Sequence, residues 1–291
     1  MTDWKTTLLG KTHWKVSRLG LASSYGADER CVQMAFERGV NYLYWGSMRT
    51  AEFGAGIRSL RSRREEFRLV IQSYARVAKM VPWSLERALR SLGMDHADIL
   101  LLGMWNKEVS PGIFEQALQL RERGLVRAIA VSTHNRPQAA VIANHNENVD
   151  VLHVRYNAVH PGAERDIFPK LPAPAVRPGI VTFTATCWGD LMKPEKVPAG
   201  DRVPSAGDCY RFNLTNPAVD VCMTGLRSVS DLTAALDALD KGPMTAEEMD
   251  WMRRVGPGQV PKAPPVFAQR LARLQPKTLS AFTAPETAKR Y

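Results

Sequence analysis

Asn-Tyr-Leu-Tyr-Trp-Gly-Ser-Met-Arg, residues 41–49, reads as a short buried strand and its exit. Tyr42, Leu43, Tyr44 and Trp45 are aromatic or apolar without polar alternation, and Gly46 ends the run. Just before it, residues 29–38 read as a helix with Val32, Ala35 and Phe36 on one face and a Gly39-Val40 exit. A strand that leaves a helix and stops at glycine is one unit of an alternating α/β chain.

The unit recurs. Residues 16–22, 67–73, 98–102, 126–132, 151–157, 180–185 and 219–224 read as seven further strands. Runs such as Leu69-Val-Ile71 are continuous, as expected of strands covered on both faces of a parallel sheet. Between them, Leu85, Ala88, Leu89 and Leu92 recur at helical spacing, residues 113–123 form a helix stopped at Gly124, and Leu232, Ala235, Leu236 and Leu239 align on another. Thr245-Ala-Glu-Glu248 is a capping box that opens one more helix. A small hairpin over residues 6–15, turning near Gly10, comes before the first strand. Residues 188–212 are a long connection containing Pro and Gly, with room to fold over a site.

Eight buried strands alternating with helices in 291 residues predict a (β/α)8 TIM barrel with an N-terminal β-hairpin over residues 1–257 and a C-terminal tail over 258–291. The tail is basic and Pro-containing: Lys262, Arg270, Arg273, Lys277, Lys289 and Arg290 face Glu286 alone. It accounts for half of the net charge of +10, and the rest is scattered over amphipathic helices with no aromatic-interleaved basic stripe, so nucleic acid is not an expected partner. Val266, Phe267, Leu271 and Leu274 fall at helical spacing, which suits either a docking segment for a protein partner or a terminal helix folded over the barrel. No apolar run approaches the roughly 18 residues of a membrane span and the first residues lack a signal peptide's apolar segment, so we expect a cytoplasmic protein. Cys31, Cys187, Cys209 and Cys222 are widely spaced and read as free thiols, and no His and carboxylate pair falls at ligand spacing, so no metal is expected.

In such a barrel the site lies at the strands' C-terminal ends, which present Tyr44, Arg49, Tyr74, Trp105, His134, Asn157, Phe183 and Arg227. His134 is the one general base nominated there, and Trp105, Trp188 and Trp45 are the aromatic residues available to line a substrate pocket. His160 and Glu164 are given no role, and Cys187, without a histidine partner, is read as inert.

Over nearly its whole length, through about Val255, the chain resembles an aldo-keto reductase of the bacterial type. The resemblance rests on Leu8-Leu-Gly-Lys-Thr with Val16-Ser-Arg-Leu-Gly, on Ala35-Phe-Glu-Arg-Gly-Val-Asn, and on residues 85–92 followed by Asp98-Ile-Leu-Leu-Leu. It continues in Gly124-Leu-Val-Arg-Ala-Ile-Ala-Val-Ser, Arg155-Tyr-Asn, Asn216-Pro-Ala-Val-Asp and Thr224-Gly-Leu-Arg-Ser. It implies hydride transfer between NADPH or NADH and a carbonyl, with a Tyr as proton donor supported by Lys, Asp and His. None of those four is retained. The family's Asp falls on Tyr44, its Tyr on Arg49, its Lys on Tyr74 and its His on Gly103. Arg49 is a poor acid, yet a cation that could steady an oxyanion and lower the pKa of Tyr44 or Tyr74.

The positions implied for the cofactor are partly kept. Ser132 and Phe183 stand where the family contacts and stacks the nicotinamide, and Gly225, Arg227 and Ser228 match the turn that approaches the adenosine phosphate. His153 replaces a Gln, Thr133 an Asn, and Ala235 the residue that meets the adenine. Three functions stay open for this small-molecule site: an oxidoreductase of altered mechanism, a cofactor-independent lyase, cyclase or isomerase, and a non-catalytic binding protein.

Overall fold

The computed structural model describes residues 4–256, so the tail assigned to 258–291 lies outside the described residues. In chain order the strands and α-helices are β1 (Thr6–Leu8), β2 (Lys15–Ser17), β3 (Leu19–Ala22), α1 (Glu29–Glu37), β4 (Tyr42–Trp45), α2 (Ala51–Ser59), β5 (Arg68–Ser73), α3 (Met80–Leu92), β6 (Ala97–Leu102), α4 (Pro111–Glu122), β7 (Val126–Thr133), α5 (Arg136–His145), β8 (Val151–Arg155), α6 (Ala163–Asp166), β9 (Gly179–Phe183), α7 (Ala206–Thr215), β10 (Val221–Thr224), α8 (Val229–Asp240) and α9 (Ala246–Val255). Strands β3 to β10 form a closed parallel barrel in which β10 returns to pair with β3, as expected.

Two apolar layers hold it. One lies between strands and helices and includes Leu43, Trp45, Leu69, Ile71, Leu100 and Leu102. The other fills the lumen with the alternate residues of the same strands, Tyr42, Tyr44, Val70, Ile99 and Leu101. The β1–β2 hairpin floors the lumen, adding buried Leu9 and Val16 with Trp14 packed beside them. Gly10 has φ +45°, and a β-carbon there would strike the backbone of Arg177 and Gly179, so this turn needs glycine.

The floor also carries a repeated polar device on every second strand. Asn41 accepts the Ser17 N–H at 2.7 Å, Asp98 that of Leu69 at 2.8 Å, Asp150 that of Ile129 at 2.9 Å and Asp220 that of Ile180 at 2.8 Å. The three aspartates, at the starts of β6, β8 and β10, thus satisfy an N–H of the barrel strand before them, and Asn41, just before β4, satisfies that of the last residue of β2. The three aspartates also meet arginines: Asp98 meets Arg64, Arg68 and Arg127, Asp150 meets Arg121, and Asp220 meets Arg177.

Several expectations are corrected. The strand read over 16–22 divides at Arg18, because Lys15–Ser17 stays in the hairpin while Leu19–Ala22 enters the barrel. Helices α2 and α5 were not anticipated: α2 carries Gly54 and Gly56, and α5 buries mostly alanine, so neither shows a strong apolar stripe. The connection 188–212 is more ordered than expected. It holds short 3-10 turns and then the first residues of α7, opened by a capping box between Ser205 and Asp208. No helix among the described residues is long and apolar enough to cross a membrane.

Candidate active site

Strand parity sets the rim. Tyr44 and Phe183 belong to or pack on the lumen cluster, and Gln72, Ser132, His153 and Arg155 share its parity on β5, β7 and β8. Among the described residues five non-glycines have positive φ, and four of them, Met104, Thr184, Cys187 and Trp188, follow β6 or β9 at this end. Backbone held in that region is costly and concentrates at working sites.

Tyr44 and Tyr74 are brought together by two residues that the sequence reading missed, Ser47 and Gln72. The Tyr44 hydroxyl donates to Gln72 Oε1 in a close contact and accepts from the Ser47 N–H at 3.1 Å. Ser47 Oγ lies 2.9 Å from both phenolic oxygens and donates to Gln72 Oε1 at 3.2 Å. Tyr44 is 8% exposed and Tyr74 38%, so the cluster runs from a buried phenol to an accessible one. Two glycines make the room. A β-carbon at Gly46 would overlap the Tyr44 ring, and one at Gly103 would overlap the Gln72 amide. The volume vacated at Gly103 is therefore occupied by Gln72.

Arg49 does not join them. Its Nη2 donates to the Gln72 carbonyl at 2.6 Å, its Nη1 to the Ser84 carbonyl at 3.3 Å, and its guanidinium lies 5.5 Å from the Trp45 ring. These partners lie in the layer between barrel and α3, so Arg49 makes no hydrogen bond to either phenol, although Tyr44 is close enough to interact with its charge. Burial pushes the Tyr44 phenol well above its ordinary range, with Tyr74 adding to the rise and the Ser47 hydrogen bonds opposing it. Burial also raises Tyr74, against hydrogen bonds from Ser47 and Gln72 and the charge of Arg76. Both phenols are proton-bearing at neutral pH.

On the cofactor side, Ser132 Oγ accepts the Met104 N–H at 2.8 Å and Phe183 is half-buried at the end of β9. His153 is withdrawn into the lumen: its ring is 3% exposed and its Nε2 lies 2.9 Å from the Tyr42 hydroxyl. A β-carbon at Gly225 would overlap the Tyr25 ring, which therefore roofs that glycine. Arg227 is exposed at the start of α8, and its guanidinium has no hydrogen bond or ion pair among the described residues. Ser228 caps α8, its hydroxyl accepting the Asp231 N–H at 3.2 Å. Trp105 lies beneath Arg76 at 4.2 Å, with its indole N–H buried and unpartnered, and Trp188 packs on the outer layer. Trp45 is 5% exposed, facing the helices, so it does not line a pocket.

His134 follows β7, its ring edge-on to Phe183 at 5.5 Å between centroids. Burial and Arg155 bring it down to about 4, burial and the same arginine bring His160 to about 4, and burial alone takes His153 to about 3. A weak conjugate acid makes His134 a weak base. Because the folded pKa values lie below the ordinary value of about 6.5, the unfolded chain binds these protons first, and stability is full above that pH and declines as pH falls toward 4. Thermal unfolding from pH 8 to pH 4 should show that decline, shallower in His153→Gln; equal slopes for the two proteins would refute it. Burial pushes the Cys187 thiol up to about 11, a poor nucleophile.

No family model matches the chain, and no curated protein matches it in sequence. Solved structures do match it in shape. The holo form of an aldo-keto reductase from Bacillus halodurans superposes with a TM-score of 0.72 at 19% identity, over 89% of this chain and 98% of that one. An aldo-keto reductase from Klebsiella pneumoniae in complex with NADPH gives 0.68 at 19% identity, with the same coverage. The barrel is thus of the aldo-keto reductase fold.

Proposed function

We propose that the protein is a nicotinamide-linked oxidoreductase acting on a small organic carbonyl substrate, with Tyr74 in place of the usual proton donor. The carrying observation is the hydrogen-bonded cluster Tyr44–Ser47–Gln72–Tyr74 at the rim, which ends in an accessible phenol. A neighbour in shape is a complex with NADPH, which supports the same class of cofactor here. Three residues fit it: Phe183 offers a ring face, the Ser132 hydroxyl accepts one N–H and keeps its own hydrogen to donate, and Arg227 offers a free guanidinium for a phosphate.

The bound nicotinamide would supply the hydride. As the carbonyl carbon receives it, the π electrons move to oxygen and Tyr74 gives up its proton to that oxygen. Ser47 turns its O–H toward the phenolate left behind, and Arg76 adds a nearby positive charge. Solvent at the exposed ring then returns the proton. Loss of reduced-nicotinamide absorbance against a panel of small aldehydes and ketones is the assay that follows.

The withdrawal of His153 and the roof over Gly225 favour a second reading, a cofactor-independent acid–base enzyme on the same barrel. Turnover of a substrate with no nucleotide present would decide for it.

A further inference from the structure

Arg155 is the one arginine, among the described residues, that is part-buried and yet has no hydrogen bond, ion pair or aromatic stack. Every other part-buried or buried arginine there is tied down, as Arg49 is to backbone carbonyls and Arg177 to Asp220. Its parity follows from β8: Val151 faces the lumen and His153 meets Tyr42 there, so Arg155 faces the same side one step higher, in register with Phe183. The His134–Phe183 contact joins the strands on either side of β8 and so spans its end.

The groups around it do not neutralise its charge. His134 Nδ1 is buried with no partner. Asn157 donates its amide to the Thr184 carbonyl at 2.7 Å, which fixes its Oδ1 as the acceptor for His160 Nδ1 at 3.1 Å. The neutral His160 therefore carries its hydrogen on Nδ1, and its Nε2 can donate to an anion once it takes up a proton. The carboxylates nearby are engaged elsewhere: Asp166 with Arg136 and Arg165, Asp190 with Lys193 and Lys196, and Glu164 with the Tyr156 hydroxyl and Arg253. The thiol of Cys187 is buried.

We propose that Arg155, flanked by His134 and His160, anchors a subsite for the carboxylate of an organic acid. The guanidinium fork matches a carboxylate edge, and with both imidazoles neutral at pH 7 the site balances one negative charge rather than two. The inference stands apart from the redox reading, because an acid–base enzyme or a binding protein on this barrel would use the same subsite. It names what the ligand carries and not what is done to it.

The test uses wild-type protein, Arg155→Gln and Arg155→Lys, with histidine ring signals followed by NMR while benzoate, inorganic phosphate or NADPH is added. Benzoate should shift the His134 and His160 signals saturably and raise their titration midpoints. Arg155→Gln should bind it on the order of tenfold more weakly, with Arg155→Lys in between, and should itself lift the His134 midpoint. Phosphate binding as tightly as benzoate would overturn the assignment to a carboxylate. Displacement of benzoate by NADPH with the same dependence on Arg155 would give the subsite to the cofactor. The absence of a saturable shift, or identical behaviour in Arg155→Gln, would remove the proposal altogether.

Discussion

Tyr74→Phe should lower kcat for NADPH-dependent carbonyl reduction by about 10²- to 10⁴-fold while leaving the cofactor's Kd unchanged. The substitution removes one oxygen, the hydroxyl that lies 2.9 Å from Ser47 Oγ, and leaves the ring, which is 38% exposed. A hydride step without a placed proton must draw on water, which is neither oriented nor supported by a hydrogen-bonded partner. Tyr44→Phe removes a phenol that is only 8% exposed, so its effect on kcat should be smaller and accompanied by lost stability, since Gln72 Oε1 and the Ser47 N–H each lose a partner. Steady-state kinetics on both variants separates the roles. An unchanged kcat in both variants would mean that the cluster acts only as filler for the space left by Gly46 and Gly103.

The largest expected effect on stability lies at the other end of the barrel. Asp98 is wholly buried, and it accepts from Arg64 at 2.7 Å, Arg68 at 3.2 Å and the Leu69 N–H at 2.8 Å. Asp98→Ala would leave three arginines without their shared anion and one strand N–H without an acceptor, a loss of about 3 to 5 kcal/mol. For a chain of this size that is a fall in Tm on the order of 10 °C. Arg253→Ala, which breaks an exposed pair with Glu164, should cost less than about 1 kcal/mol. Similar Tm values for the two variants would contradict the role given to the floor.

The barrel was legible because parallel strands covered on both faces leave continuous apolar runs, and eight of them recur at α/β spacing. Helices α2 and α5 were not, since Gly54, Gly56 and the alanines of α5 pack closely without making an apolar stripe. Tyr44 and Tyr74 were found from their places at strand ends. Ser47 and Gln72, which join them, were not, because they come within bonding distance only when β4 and β5 pair in the closed barrel. A usable signal was present: Gln72 and Arg155 are polar residues at lumen parity on the last turn of the pleat, where an apolar residue would otherwise continue the filling. Arg49 misled for the opposite reason. Its position in the chain is that of the family's tyrosine, but its long side chain reaches Ser84 and the outer layer.

Calorimetric titration of NADPH and NADH into the wild-type protein and Arg227→Ala separates a nicotinamide-linked enzyme from a barrel that binds no nucleotide. Binding in the micromolar range is expected for at least one of the two nucleotides, weakened on the order of tenfold in the variant as the phosphate loses a charged partner. No heat of binding for either nucleotide at millimolar concentration would contradict it, and would leave the barrel to chemistry without a nicotinamide.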